Sequence, residues 1–171
     1  ELMAREFFHQ KGARFALFQS YLESRPELEE YARIRAVCDY TGASSHAWGD
    51  EDQHASEIKD FYLYIQWLAQ EQMNDLLNAC RRAGVRFYLD LPLGVNSDGF
   101  DAWRYREFFA QQINAGAPPD SFFTKGQDWG FAPLHPERTR ELKYRYVIEY
   151  LRFQMRHTGL LRIDHVMGLH R

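Results

Sequence analysis

Two cysteines, Cys38 and Cys80, are too few and too far apart for a disulfide framework, a zinc cage or a Cys-x-x-Cys redox pair. They point to a reducing compartment and a cytoplasmic chain. No apolar run approaches the length of a membrane span, and there is no low-complexity tract or signal peptide. Neither sign of charge prevails. Lys and Arg number 21 against 24 Asp and Glu, interspersed, for a net charge of −3. That leaves no basic footprint for nucleic acid. The chain opens at Glu1 without a start methionine and stops at Leu169-His170-Arg171 with no terminal helix or tail, which reads as a piece of a longer protein. Its 171 residues have the size of one ordinary domain with one core. Aromatics are what it has in surplus, at 16% with four Trp and ten Tyr.

Residues 1 to about 38 read as helical. Leu2, Phe7, Phe8, Phe15, Leu17, Phe18 and Leu22 crowd an apolar face, with Gly12 as a break. Pro26, with Glu27 and Glu29, opens a second helical stretch through Tyr31, Ile34 and Val37. These are packing elements. From Asp39 to Ser56 the periodicity fails. His46, Asp50, Glu51, Asp52 and His54 do not have the spacing of a helical two-His ligand pair, so a solvated loop is expected. Ser56 is the expected N-cap of a long helix bearing Ile58, Phe61, Tyr62, Ile65, Leu68, Met73, Leu76, Leu77 and Cys80. Arg81 and Arg82 suit its C-terminal dipole, and Gly84 its stop.

A short apolar run from Val85 to Leu91 follows that helix and carries Asp90 near its end. The unit recurs. Glu137 to His157 reads as one amphipathic helix with Leu142, Tyr146, Val147, Tyr150, Leu151 and Met155, closed by Gly159. Then Leu160-Leu161-Arg162-Ile163-Asp164-His165 repeats the strand that runs to an aspartate. Two copies of helix, glycine, strand and Asp argue for a parallel α/β sheet or barrel with Asp90 and Asp164 at one face. In such folds a carboxylate at the carboxyl end of a buried strand lies where sites are built. Arg162, two residues before Asp164, projects from the same strand face and can keep that carboxyl ionised. An immobilised, ionised aspartate suits covalent catalysis on a sugar. A purely structural Arg–Asp pair at a strand end fits this heptamer equally well.

The two aspartates lie 74 residues apart, against about 30 per unit of a roughly 250-residue barrel. A long insertion, residues 96–135, must therefore rise from the end of the first strand. Asn96-Ser97-Asp98-Gly99 is turn chemistry, and Trp103 to Gln112 holds a short helix at best. Gly116-Ala117-Pro118-Pro119-Asp120-Ser121-Phe122-Phe123 then presents an acid and two rings on a stiff turn. Gly126-Gln127-Asp128-Trp129-Gly130 presents an amide, an acid and an indole. Polar groups beside exposed rings equip a carbohydrate cleft; a loop burying its own aromatics has the same composition.

Four of these segments together resemble the 4-α-glucanotransferases (amylomaltases or disproportionating enzymes, glycoside hydrolase family 77). They are Tyr88-Leu89-Asp90-Leu91-Pro92-Leu93-Gly94-Val95, Gly116-Ala117-Pro118-Pro119-Asp120, Gly126-Gln127-Asp128-Trp129-Gly130 and Arg162-Ile163-Asp164-His165-Val166-Met167-Gly168, in the family's order and with roughly its spacing. Tyr64-Ile65-Gln66-Trp67-Leu68 fits the helix before them. The resemblance is clear from about Phe61 onward and looser before.

The resemblance implies an interrupted (β/α)8 TIM-type barrel. Residues 1–56 would be a helical segment and loop, and 57–171 part of the catalytic barrel with the inserted substrate loop. It implies transfer of α-1,4-glucan segments between maltodextrins by a retaining double displacement, with no metal and no organic cofactor. Asp164 matches the nucleophile and Arg162 its partner at the reacting sugar. Asp90 matches a supporting strand-end aspartate, and His165 a wall residue or a packing one. Gln127, Asp128 and Trp129 match the donor or acceptor cleft, and Asp120, Phe122 and Phe123 a loop that covers the substrate. The family's acid/base glutamate and third essential acid lie on later strands than this chain contains. Inactivity is therefore expected of the 171 residues alone, and association through uncovered apolar sheet edges. The rival expectations are an α-amylase-type hydrolase, which shares Arg-x-Asp, and a non-catalytic glucan-binding remnant.

Overall fold

A computed structural model describes residues 1–42 and 56–169. The expected loop with His46, Asp50, Glu51, Asp52 and His54 lies outside the described residues, apart from its edges. The chain divides into two compact units, Glu1–Leu76 and Leu77–Arg171. The division falls inside one long helix, well past residue 56.

The first unit is helical. α1 (Leu2–Gln10) and α2 (Ala13–Glu23) are separated where expected, with Lys11 left-handed and Gly12 extended at the N-cap of α2. α3 (Glu27–Thr41) starts behind Pro26 with Glu27, Glu29 and Glu30 in its first turn, where acids complement the helix dipole. α4 (Ser56–Arg82) begins at Ser56. An aromatic cluster fills the unit: Phe18 and Trp67 are buried, and Phe7, Phe8, Phe15 and Tyr64 pack edge-on or tilted around them. Arg14 lies 4.8 Å from the Trp67 ring centre and pairs with Glu71, covering the cluster with a cation. The apolar face differs from the expectation at two positions. Leu2 is 84% exposed and Leu17 60%. On α2, Phe15, Phe18 and Leu22 follow the i, i+3, i+7 stripe, which turns Leu17 to the other side.

The second unit is mixed α/β. α4 ends as its sequence dictates. Gly84 is left-handed at φ 68°, its N–H donates to Arg81, and Val85 N–H donates to Cys80 at 2.9 Å. These are the paired bonds of a Schellman stop. The expected strand condenses to β1 (Tyr88–Asp90). After it come α5 (Phe100–Arg104), a 3-10 turn (Arg106–Phe108), and the antiparallel pair β2 (Gly116–Ala117) and β3 (Gln127–Asp128). The Asn96 turn forms as read, with Asp98 N–H donating to Asn96 Oδ1 at 2.9 Å.

The single helix expected over Glu137 to His157 is two, α6 (Pro136–Glu141) and α7 (Arg145–Arg156). Lys143 and Tyr144 between them are both left-handed, at φ 55° and 56°, and the helical ladder cannot run through such residues. Met155, placed on the apolar stripe by periodicity, is 64% exposed. Gly159 does not close α7, which ends on His157. Its missing side chain serves a close approach instead, since a Cβ there would stand 3.0 Å from Arg86 Cβ.

β4 (Leu160–Arg162) pairs with β1 in parallel, Tyr88 against Leu160, Leu89 against Leu161 and Asp90 against Arg162. The two strand–Asp units thus lie side by side, as their repetition required. The strands are not buried: Tyr88 is 61% and Leu160 51% exposed. The buried cluster of this unit is Phe108, Phe109, Ala132 and Tyr146, with Val95, Tyr105, Leu134 and Leu142 packed against it. No helix among the described residues is long and apolar enough to cross a membrane.

Phe18 is 2% exposed at the centre of the helical cluster. Phe18→Ala is expected to destabilise the helical unit by about 3–5 kcal/mol, read as a lower urea midpoint in Trp67 fluorescence.

Candidate active site

Parallel register creates the site. Placing Asp90 opposite Arg162 brings the carboxylate of one strand to the guanidinium of the next, and Arg162 donates to Asp90 Oδ1 at 3.2 Å. The same guanidinium turns its second nitrogen to Asp164 Oδ2 at 2.9 Å. One arginine is therefore held between two carboxylates, each bond charge-assisted. All three side chains are about half exposed. The contact between Arg162 and Asp164 was legible from their spacing. The bond to Asp90 was not, because it needs the strand order; the repeated strand–Asp unit was the available signal.

Asp164 lies two residues beyond β4, not at its last position. The chain bends there, and His165 adopts a left-handed backbone at φ 45°. That conformation costs a non-glycine residue about 1–2 kcal/mol. It delivers the His165 N–H to Asp164 Oδ1 at 3.1 Å, so both carboxylate oxygens are occupied by donors. Desolvation is the largest influence on the Asp164 carboxyl and acts to raise its pKa. The Arg162 hydrogen bond, the His165 N–H and the charges of both residues act against it and lower it overall. Asp90 first, and Asp164 second, raise Arg162 above its already high value. The pair is ionised throughout the neutral range.

Asp164 and His165 line a cavity of about 240 Å³ together with Leu91, Phe109, Leu134, Tyr146, Trp129 and Phe131. Tyr146 donates to Asp101 at 2.9 Å, and Tyr150 to the Pro92 carbonyl. Burial raises both phenols, Tyr150 to about 12, so they remain neutral donors that tie α7 to α5 and to the segment leaving β1.

Of the site residues expected in the insertion, Trp129 lines this cavity. Its indole N–H donates to Gln127 Oε1 at 3.2 Å, and its ring meets that of His165 at 4.9 Å. Gln127 thus acts on Trp129. Asp128 accepts from Asn114 at 3.1 Å and from Gly130 N–H at 2.8 Å. Those two bonds, Asn114 foremost, lower its pKa and commit it to holding the turn. Asp120 likewise accepts the N–H groups of Phe122 and Phe123 at 2.8 and 2.6 Å. The turn thrusts Phe122 into solvent, 89% exposed, with Phe123 at 52%. Asp90, Asp120, Phe122, Phe123, Gln127 and Asp128 are not among the cavity's lining residues. Phe131, which stacks on Trp129 with centroids 6.0 Å apart, escaped the sequence reading. No local pattern signals it, because Gly130 between the two rings is left-handed at φ 70° and strand alternation does not run through it. No three His, Cys, Asp or Glu side chains converge as a metal cluster among the described residues.

Arg162→Met removes the donor and leaves desolvation acting on Asp164. The Asp164 carboxyl is expected to titrate at higher pH than in the wild type, followed by carbon-detected NMR of the labelled side chain. The lowered pKa also stabilises the fold above the ordinary carboxylate range, and that contribution is lost as pH falls through the folded value. In the variant the acid dependence should therefore weaken.

A family model described as 4-alpha-glucanotransferase matches residues 2–171. The 4-alpha-glucanotransferase of Mycobacterium tuberculosis (strain H37Rv) is 35% identical over 159 residues, covering 84% of this chain and 22% of the relative. That of Haemophilus influenzae is 29% identical over 182 residues, covering 92% and 26%. Among solved structures, amylomaltase from Corynebacterium glutamicum superposes with a TM-score of 0.74 at 33% identity, over 91% of this chain and 22% of its own. Amylomaltase from Streptococcus agalactiae in complex with acarbose superposes at 0.82 with 22% identity, over 93% and 36%. The chain thus spans about a quarter of the length of the curated relatives it matches. With a match over nearly every residue and the fold shared, the chain belongs to the 4-α-glucanotransferase family, glycoside hydrolase family 77.

Proposed function

We propose that these residues form part of the catalytic barrel of a 4-α-glucanotransferase, with Asp164 as the nucleophile of a retaining double displacement. The observation that carries this is the Arg162 guanidinium clasped between Asp90 and Asp164 at the carboxyl ends of two parallel strands, with Asp164 on the wall of an aromatic cavity. Within the barrel, residues 57–171 would contribute β1 and β4 as strands, with 96–135 as the substrate loop and 1–56 as a helical accessory.

In this reading a glucan chain lies across the cavity with one ring against Trp129. Asp164 attacks the anomeric carbon, and the glycosidic bond breaks toward its leaving oxygen. A general acid from a later strand supplies the proton, and the covalent glycosyl ester is the product of the first step. The 4-hydroxyl of a second glucan then attacks the ester carbon while the same group, now a base, takes the hydroxyl proton. Arg162 keeps Asp164 ionised, because a protonated carboxyl is no nucleophile. Asp90 holds the other edge of that guanidinium and so orients it. Phe122 and Phe123, projected by the Asp120 turn, would close over bound sugar. Excluding water there favours transfer over hydrolysis. A retaining pair needs its two carboxyl groups about 5–5.5 Å apart. Asp90 and Asp128 are already engaged, by Arg162 and by the 126–130 turn respectively. The resemblance to the family puts the acid/base glutamate on a later barrel strand than β4, so the 171 residues alone are expected not to turn over.

The longest natural chain containing this sequence, incubated with maltotriose, is expected to yield glucose and a ladder of longer maltodextrins. Asp164→Asn should lower the rate by at least about a thousandfold. Glucose and maltose without a ladder would indicate an α-amylase-type hydrolase. Maltodextrin binding that survives Asp164→Ala, with no turnover by the wild type, would indicate a binding remnant.

A further inference from the structure

Gly94 lies four residues past Asp90, in the segment that leaves β1, and forms part of the cavity wall. Its backbone is outside the left-handed region, so conformational freedom is not the reason for a glycine. Space is. A Cβ at this position would stand 2.1 Å from Phe131 Cδ2, 2.4 Å from Cε2 and 2.8 Å from Cγ. Carbon atoms in contact stay about 3.5–4.0 Å apart, so any side chain here would have to expel the ring.

The Phe131 ring has little freedom to leave. Its backbone bridges Asn96, and its carbonyl accepts from Ala115 N–H at 2.8 Å. The ring itself lies against the Trp129 indole with only 25° between their planes. Trp129 is fixed in turn by its backbone N–H on the Ala115 carbonyl at 3.0 Å, by its indole N–H on Gln127 Oε1, and by contact with the His165 ring. His165 directly follows Asp164, and both line the same cavity. A displacement that starts at residue 94 therefore passes through Phe131 to the indole beside Asp164. The ring contact transmits it to the side of the cavity that Phe131 and Trp129 both line.

We infer that Gly94 is a positioning residue: by leaving room for Phe131 it sets the depth and tilt of the Trp129 ring, and with them the affinity of this cavity for a glucose ring. The inference rests on the glucan reading of the site. Gly94 contacts no reacting group and acts through Phe131, so its effect belongs in binding and not in the chemical step.

The test uses the longest natural chain containing this sequence, with Gly94→Ala, Phe131→Leu and the double variant. The readouts are the Trp129 indole N–H resonance, assigned by its loss in Trp129→Phe, and maltotriose affinity by calorimetry. Gly94→Ala is expected to shift the Trp129 signal while those of Trp67 and Trp103 stay in place. It should weaken maltotriose binding about tenfold in the wild-type background and less than about twofold beside Phe131→Leu, since contacting residues couple on this scale. KM should rise with kcat nearly unchanged. An unmoved Trp129 signal, or equal losses in both backgrounds, would overturn the inference. Should Gly94→Ala fail to fold alone, recovery of the fold in the double variant supports it and equal failure overturns it. If the wild type does not bind maltotriose the glucan reading falls, and the indole signal still decides whether Gly94 places Trp129.

Discussion

One guanidinium shared by two carboxylates is the interaction on which the site depends. Arg162 reaches Asp90 across the β1–β4 ladder and Asp164 along its own chain. Each bond constrains the other. The strand pairing must hold its register for Asp90 to face Arg162, because a slip of one residue turns every side chain to the other face. With Asp90 holding one edge, the remaining edge points at Asp164. The left-handed turn at His165 then completes the carboxylate's set of donors. Backbone strain and charge pairing are concentrated within four consecutive residues, a pattern that recurs where geometry serves chemistry.

A second tier of organisation is aromatic. Trp129 is stacked by Phe131, bonded by Gln127 and abutted by His165. Tyr146 and Tyr150 tie α7 to α5 and to the Pro92 carbonyl below the same cavity. The acidic residues of the insertion have a different task. Asp120 and Asp128 spend their oxygens on backbone N–H groups and an amide, and so shape the turns that carry the rings. The sequence shows those acids beside aromatics and suggests polar contacts to ligand. The structure has them building the platforms.

Legibility in the sequence followed the range of the interaction. The Schellman stop at Gly84, the Asn96 turn, the break near Gly12 and the opening of α3 behind Pro26 involve neighbours within a few residues, and all were readable. The split between α6 and α7 was not, since Lys143 and Tyr144 carry no local mark of left-handed backbone. Leu2, Leu17 and Met155 are apolar residues that periodicity could assign to a face but not to a partner. Gly159 looked like a helix stop and is instead a place where Arg86 comes close.

Arg-x-Asp on a strand, a second strand ending in Asp, and the aromatic turns between them are local chemistry, and the residues alone specified them together with the family they resemble. Which of those groups meet is another matter. That Asp90 shares Arg162, that Trp129 and not Asp128 reaches the cavity, and that Gly94 leaves room for Phe131 all depend on chain segments tens of residues apart. Such contacts are set by parallel register and by the packing of one ring on another. A one-dimensional pattern encodes neither, because periodicity reports the direction of a side chain and not what stands opposite it.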